Sequence, residues 1–525
     1  MALEIESLGS RVDGVQDRVV RLIDADVPAQ VAAGVATLWG PEATEEASKR
    51  LGWTADPREM LGLVAELEAL REDFAARGVH RVVLCGMGGS SLAPEVMAKR
   101  DGVALEILDS THPDQVARSL KTELVDTLVV VASKSGTTVE TATARASFER
   151  AFRDQGIDPI DRVIIVTDPN SPLHQESSAK GHRVFLADPN VGGRFSALTA
   201  FGLVPTTLAG VDTRAVIDEA ASVWDSLRVS TPDNPAVLLA ASLSSNRDIA
   251  VLLADEEMAP GLGDWIEQLV AESTGKDAKG VLPVVAEDEN SPEVTGDLAD
   301  VVVVDLAGKG RGDASISGPL GAQFLLWEYA TAFVGCLLEL NPFDQPDVES
   351  AKIAARGLLD QRPTPPAPDC SYGETKLWLN TDDASSISDD QGAWTAIAKQ
   401  LDSSGYLSVQ LYADRLAVTD TASLRQGLAS RLGRPGTIGF GPRFLHSTGQ
   451  FHKGGTPDGV FVQVEVVPHT HIDIPGYPFD FTTLVNAQSA GDRGVLIERG
   501  RPVLTVQVGS VEALQRFLEA GALTA

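Results

Sequence analysis

The sequence predicts an α/β protein built on parallel sheets, and three observations carry that expectation. Short apolar runs at 81–85, 103–107, 127–132 and 162–167 alternate with helical stretches, the pattern of strands covered on both faces by crossover helices. The alternation resumes near residue 230, with strands expected at 248–254 and 300–305. It resumes again after a Pro-rich stretch, with strands expected at 374–379, 406–413, 459–467 and 502–508. Two doubly wound parallel-sheet domains followed by a C-terminal α/β extension are therefore expected.

Taken in order, residues 1–76 read as a helical segment, because Val19, Val20, Leu22 and Ile23, then Met60, Leu61, Leu63, Val64, Leu67 and Leu70, fall at helical spacing. Residues 77–228 form the first α/β domain and 229–365 the second, whose stretch from about Gly321 to Leu338 is apolar enough to be a buried helix. The run Arg362-Pro-Thr-Pro-Pro-Ala-Pro-Asp369 marks the boundary to the extension, 366–525.

With 525 residues the chain is too long for a single core. Its formal charge of −31, from 74 acidic against 43 basic residues, argues against nucleic acid and against anionic membranes as partners. No apolar run reaches the eighteen or so residues of a membrane span, and the start Met1-Ala-Leu-Glu-Ile-Glu6 lacks the pattern of a signal peptide. A cytoplasmic protein is expected. Cys85, Cys336 and Cys370 are odd in number and widely spaced, so neither a disulfide framework nor a Cys-based zinc site is indicated. No metal or cofactor is expected.

Two segments carry chemistry. Val83-Leu-Cys-Gly-Met-Gly-Gly-Ser-Ser-Leu92 and Val131-Ala-Ser-Lys-Ser-Gly-Thr-Thr-Val-Glu140 each run from an apolar strand into a turn that opens a helix. The first amides of a helix lack internal partners and carry the positive end of its dipole, so an anion can sit on them. Gly86, Gly88 and Gly89, with Ser90, permit close approach in the first turn; Ser133, Ser135, Thr137 and Thr138 add hydroxyls in the second, with Lys134 as a point charge. The pair suits a small phosphorylated molecule, and on so acidic a chain the site must be made positive locally. A dinucleotide fingerprint is the rival, since Asp109 follows the first turn at about the expected distance. Ser91 stands where its third glycine belongs, and the hydroxyl-rich second turn has no part in it.

Three further segments join them: Asp188-Pro-Asn-Val-Gly-Gly-Arg-Phe-Ser-Ala-Leu198 with Arg194, Gln268-Leu-Val-Ala-Glu-Ser-Thr-Gly-Lys276 with Glu272, and Asn341-Pro-Phe-Asp-Gln-Pro-Asp-Val-Glu-Ser-Ala-Lys352. From about residue 80 to 360 the chain resembles the phosphoglucose isomerase family, with the domains of sugar-isomerase (SIS) type. Asp347 departs from the family's usual glycine. The run Gly441-Pro-Arg-Phe-Leu-His-Ser-Thr-Gly-Gln-Phe-His-Lys-Gly-Gly455 resembles a branch that can be fused behind a transaldolase, here read as free-standing.

The resemblance implies reversible isomerisation of glucose 6-phosphate and fructose 6-phosphate through ring opening and a cis-enediol(ate). It implies Glu272 as the base that moves the proton between C1 and C2, Arg194 as the cation facing the enediolate, and Lys352 with a histidine for ring opening. It assigns Gly88, Gly89, Ser90, Ser133, Ser135, Thr138 and Gln268 to substrate and phosphate; the chemistry of the second turn adds Lys134 and Thr137, and Glu140, which follows it, reads as a cap or brace. Residues 273–445 contain no histidine, so the ring-opening histidine is expected from the extension, His452 before His446. A homodimer and a functional link to transaldolase are implied. A dual phosphoglucose/phosphomannose isomerase, an aminosugar-phosphate isomerase and a non-catalytic sugar-phosphate sensor are the alternatives. His469 and His471 alternate at strand period but lack a third metal ligand.

Overall fold

The computed structural model describes residues 3–7, 12–120, 123–245, 247–296, 298, 301–361, 366–381 and 387–522. Residues 1–2 and 8–11 of the N-terminal segment and 362–365 of the Pro-rich boundary lie outside the described residues. The N-terminal segment opens on a strand, β1 (Glu4–Ser7), rather than a helix, and continues in short helices up to the long one at Leu61–Ala76.

The first sheet contains β2 (Arg81–Gly86), β3 (Glu106–Leu108), β4 (Thr127–Ala132), β5 (Val163–Thr167) and β6 (Arg183–Leu186), in the order β3-β2-β4-β5-β6 with every pairing parallel. Alternate side chains go to opposite faces. Val82, Leu84, Leu128 and Val130 pack with Leu67 and Phe74 of the Leu61–Ala76 helix and with Phe201 and Val204. Val83, Cys85, Val129 and Val131 meet Phe148 and Phe152 on the other face.

The second sheet is built from β7 (Ile249–Leu253), β8 (Leu282–Ala286), β9 (Val301–Asp305) and β10 (Ala314–Ser317), in the order β1-β10-β9-β7-β8. Only β1 runs antiparallel in it. Ala250, Leu252, Val302 and Val304 share a core with the helix Leu320–Leu338. That helix is long and apolar enough to cross a membrane, yet 94% of its apolar window is buried inside the protein.

The third sheet joins β11 (Cys370–Tyr372), β12 (Thr375–Leu379), β13 (Tyr406–Tyr412), β14 (Gly436–Phe440), β15 (Gly459–Val466) and β16 (Val503–Val508) in the order β11-β12-β16-β15-β13-β14. β13 to β16 are parallel and β11-β12 is an antiparallel hairpin at the edge. This extension is built into both cores rather than appended to them. Ile474, Phe481 and Leu484 complete the Phe148/Phe152 face of the first sheet, and Tyr406, Phe451, Phe461 and Leu496 complete the free face of the second. Each such side chain, fully buried, contributes roughly 2 kcal/mol. The docking lays the extension's 443–454 segment over the turn after β2, at Gly88, and over the end of the helix Leu262–Thr274, at Gly275.

Candidate active site

The first turn is a floor. Its amides are already engaged, Ser90 N–H donating to the Met87 carbonyl (3.1 Å) and Ser91 N–H to that of Gly88 (2.9 Å). Gly88 has φ +53°, and a Cβ there would lie 2.6 Å from the His446 carbonyl oxygen and 2.7 Å from Gln268 Nε2. A Cβ on Gly89 would lie 2.0 Å from the Gly193 carbonyl oxygen. Four separate segments therefore meet at these two glycines.

The turn 193–195 then aims Arg194 inward. Its guanidinium is buried and four of its five N–H groups are engaged: Nε donates to Ser273 Oγ (2.7 Å), Nη1 to Gln345 Oε1 (2.8 Å), and Nη2 to the carbonyls of Pro342 (2.7 Å) and Asp344 (3.1 Å). Glu272 Oε1 stands 3.6 Å from Nη1. Glu272 lies near the end of the helix Leu262–Thr274, one turn after Gln268, whose Nε2 donates to Glu272 Oε2 (3.0 Å) and to the His446 carbonyl (2.7 Å). Gln268 Oε1 is buried with no protein partner, an acceptor left for a ligand hydroxyl.

Two residues outside the expected set support this centre. Gln345 holds Arg194 directly. Lys276 donates from a buried Nζ to the carbonyls of Asn341 (2.6 Å) and Asp344 (2.7 Å) and to Asp344 Oδ1 (2.6 Å). Burial and the nearby Arg194 bring its ammonium down to about 8. Both residues stand inside the quoted motifs, so their position was visible while their partners were not.

The second turn has another character. Ser135 and Thr137 are exposed and their hydroxyls bond each other (2.9 Å), while Ser133 Oγ donates to Thr138 Oγ1 (3.3 Å) and accepts from Gly136 N–H (3.2 Å). The turn opens the helix Val139–Asp154 with no side-chain cap at Thr138, leaving its dipole for an anion. Lys134 does not join it. Its Nζ donates to Asp168 Oδ2 (2.6 Å) and to the Pro189 carbonyl, so the expected point charge is neutralised within the protein.

The histidine expectation is corrected in its order. His452, on the helix Gly449–Gly454, lies inside the extension, with Nδ1 3.0 Å from the Tyr406 hydroxyl and Nε2 3.3 Å from Ser408 Oγ. Its ring stacks on Tyr406 and meets Phe461 edge-on. Burial pushes the imidazole well below its ordinary range, and both ring nitrogens are engaged away from Glu272. His446 occupies the site instead: its carbonyl binds Gln268 and its Nε2 lies 3.0 Å from Glu140 Oε1. Glu140, expected as a brace, is thus the carboxylate partner of the histidine. Burial raises its carboxyl, but His446 and then Lys352 more than offset this, leaving it below the usual range. Lys352, on the helix Pro346–Gln361, is 3.8 Å from Glu349 on the same helix and close enough for its charge to act on Glu140.

The departure at Asp347 has a structural reason. Gln450 of the extension donates to Asp347 Oδ2 (2.7 Å) and to the Gly275 carbonyl (2.8 Å), and accepts from Asp347 N–H (3.0 Å). Arg499 donates to Asp347 Oδ1. Asp347 therefore clasps the extension to the helix carrying Lys352. Asp109, the acid of the dinucleotide alternative, pairs with Arg443, which also binds Glu95; it is a second clasp to the same extension.

Comparison with known proteins identifies the family. The sequence profile described as "Phosphoglucose isomerase" matches residues 67–286. A probable glucose-6-phosphate isomerase of Haloarcula marismortui is 31% identical over 338 residues, covering 53% of this chain and 78% of that protein. A glucose-6-phosphate isomerase of Thermus thermophilus is 29% identical over 398 residues, covering 61% of this chain and 95% of the relative. Among solved structures, a hypothetical protein from Thermus thermophilus superposes with a TM-score of 0.57 at 25% identity, over 68% of this chain and all of that one. A glucose-6-phosphate isomerase from Chlamydia trachomatis shares the fold, with a TM-score of 0.55 at 19% identity over 68% and 88%. With the matched stretch carrying Arg194, Glu272 and both turns, the chain belongs to the phosphoglucose isomerase family.

Proposed function

We propose that this protein interconverts glucose 6-phosphate and fructose 6-phosphate. The observation that carries the reading is the buried Arg194 guanidinium 3.6 Å from Glu272, beside a free buried acceptor on Gln268 and a histidine–carboxylate pair. The phosphate is taken by the second turn, on the helix dipole and the hydroxyls of Ser133, Ser135, Thr137 and Thr138. His446 opens the ring: with its Nε2–H donating to Glu140, protonated Nδ1 gives its proton to the ring oxygen as the C1–O5 bond breaks, and the C1 hydroxyl releases its proton to solvent, from which Nδ1 is reprotonated. Lys352 adds positive charge on that side. Glu272 takes the proton from C2 and returns it to C1, and Arg194 stabilises the enediolate in a setting that excludes water.

Every residue given a role here comes from one chain. The homodimer and the link to transaldolase belong to the proposal as family expectations, as does a cytoplasmic setting. The test is a coupled assay on glucose, mannose and glucosamine 6-phosphates with wild type and Glu272→Gln. Turnover of the glucose ester should fall by about 10⁴-fold in the variant, near the upper range for removing a general base. Wild-type turnover in Glu272→Gln, or binding of fructose 6-phosphate without C1/C2 hydrogen exchange in the wild type, rejects the reading.

A further inference from the structure

Glu140 Oε1 accepts two hydrogen bonds, both from the extension: His446 Nε2 at 3.0 Å and Gln488 Nε2 at 2.7 Å. Gln488 Oε1 in turn accepts from Thr111 Oγ1 at 2.5 Å. Thr111, Gln488 and Glu140 are all buried, at 0%, 4% and 8% exposure. The order of donors in this chain is fixed at its carboxylate end. An ionised carboxylate can only accept, so Gln488 turns its NH₂ towards Glu140 and its Oε1 takes the proton of the Thr111 hydroxyl, a group able to serve either way. A donor facing the carboxylate favours its ionised form, and an ionised carboxylate accepts from His446, fixing Nε2 as the protonated nitrogen. Were the amide reversed, its oxygen would face Glu140 and favour the protonated acid, and the imidazole would lose its orienting acceptor.

We propose that Gln488, held at its Oε1 by Thr111, is a positioning residue for ring opening, setting the ionisation of Glu140 and through it the tautomer and aim of His446. The inference rests on His446 as the ring-opening group. Gln488 lies on the helix Phe481–Glu498, which packs closely on the Lys352 helix, since a Cβ on Gly491 would lie 2.8 Å from Ala355 N. One helix of the extension thus seats both members of the ring-opening side. The charged groups acting on Glu140 are His446 from the 443–446 turn and Lys352 from its own helix; Gln488 adds a dipole and no charge.

The experiment separates ring opening from proton transfer by following enzyme-catalysed anomerisation of hexose 6-phosphate by exchange NMR, alongside turnover. Glu272→Gln should keep anomerisation while losing isomerisation. Gln488→Leu should lower catalysed ring opening about tenfold, the scale of losing one hydrogen bond to a buried charge, with KM within about twofold. Without its donor Glu140 protonates more readily, so the acid limb of the pH profile should move to higher pH. Added to His446→Ala, Gln488→Leu should cause no further loss, because the two act through one group. Unchanged ring opening and acid limb in Gln488→Leu, or a defect that adds in full to His446→Ala, overturns the positioning role and leaves His446 standing. Full ring opening in His446→Ala overturns both. Should Gln488→Leu fail to fold, near-isosteric Thr111→Val decides: the same shifts, smaller in size, support the role, and a wild-type profile rejects it.

Discussion

The two helix-opening turns share a sequence grammar of strand, small residues and helix, yet they have opposite fates. The first is closed. Its amides are engaged by its own carbonyls, and its glycines exist so that Gly193, Gln268 and the His446 backbone can press against them. The second is open: Ser135 and Thr137 are exposed, their hydroxyls bond mainly each other, and a cavity of about 220 Å³ borders the turn at Ser133, Gly136 and Thr138. What separates floor from anchor is whether other segments of the protein already cover the turn. The cover comes from downstream in the chain, from Gly193, Gln268 and His446.

Between the two turns, the larger expected effect comes from violating the closed one. Gly89→Ala places a Cβ 2.0 Å from a backbone oxygen of the Arg194 turn, so one of the two segments must shift. A displacement near 1 Å at a reacting group costs on the order of 100-fold in rate, and kcat/KM should fall at least that far, with a lower melting temperature. Retention of half the activity would mean that the first turn is not the tight floor described here.

The fold was legible where apolar runs were long. Thr127–Ala132 is apolar beyond its first residue and buried throughout, and its bounds follow directly from the sequence. β1, β8 and β14 did not announce themselves, because Glu-Ile-Glu-Ser is a short edge strand and Gly-Thr-Ile-Gly-Phe is weakened by its glycines. In the site, Arg194 and Glu272 were legible through local motifs. The Glu140–His446 pair was not, since its members are separated by 306 positions and only docking of the third sheet joins them. Lys134 shows the converse limit: its place in the turn was plain, but sequence does not tell which way a flexible lysine points, and Asp168 takes it.

A middle-sized effect sharpens what the closed turn is pressed against. Lys276 and Arg194 grip the same 341–345 segment, and Lys276 titrates at about 8. Below that pH the ammonium holds three acceptors; above it a proton is lost and the grip loosens. Activity should therefore fall by several-fold as pH rises through 8, and Lys276→Met should be impaired at neutral pH and lack that limb. Stability has the opposite sign. The folded value lies below that of free lysine, so between about 8 and 10.4 the unfolded chain binds the proton that the folded one has shed, and this group makes folding more favourable as pH rises. A melting temperature that falls in step with activity across pH 8 would attribute the limb to unfolding instead.

The smallest effect belongs to the open turn. Ser135→Ala removes one exposed hydroxyl, and with it the acceptor of the Thr137 amide, while leaving the helix dipole in place. A hydrogen bond to a charged group contributes about 1.5 kcal/mol at the low end, or roughly tenfold, and it acts on the phosphate equally in substrate and transition state. Binding that is uniform in this sense appears in KM and not in kcat. KM for glucose 6-phosphate should thus rise about tenfold with kcat nearly unchanged, and inorganic phosphate should weaken as a competitive inhibitor by the same factor. A fall in kcat at constant KM would place Ser135 beside the reacting carbons, and the assignment of the two turns as floor and anchor would have to be exchanged.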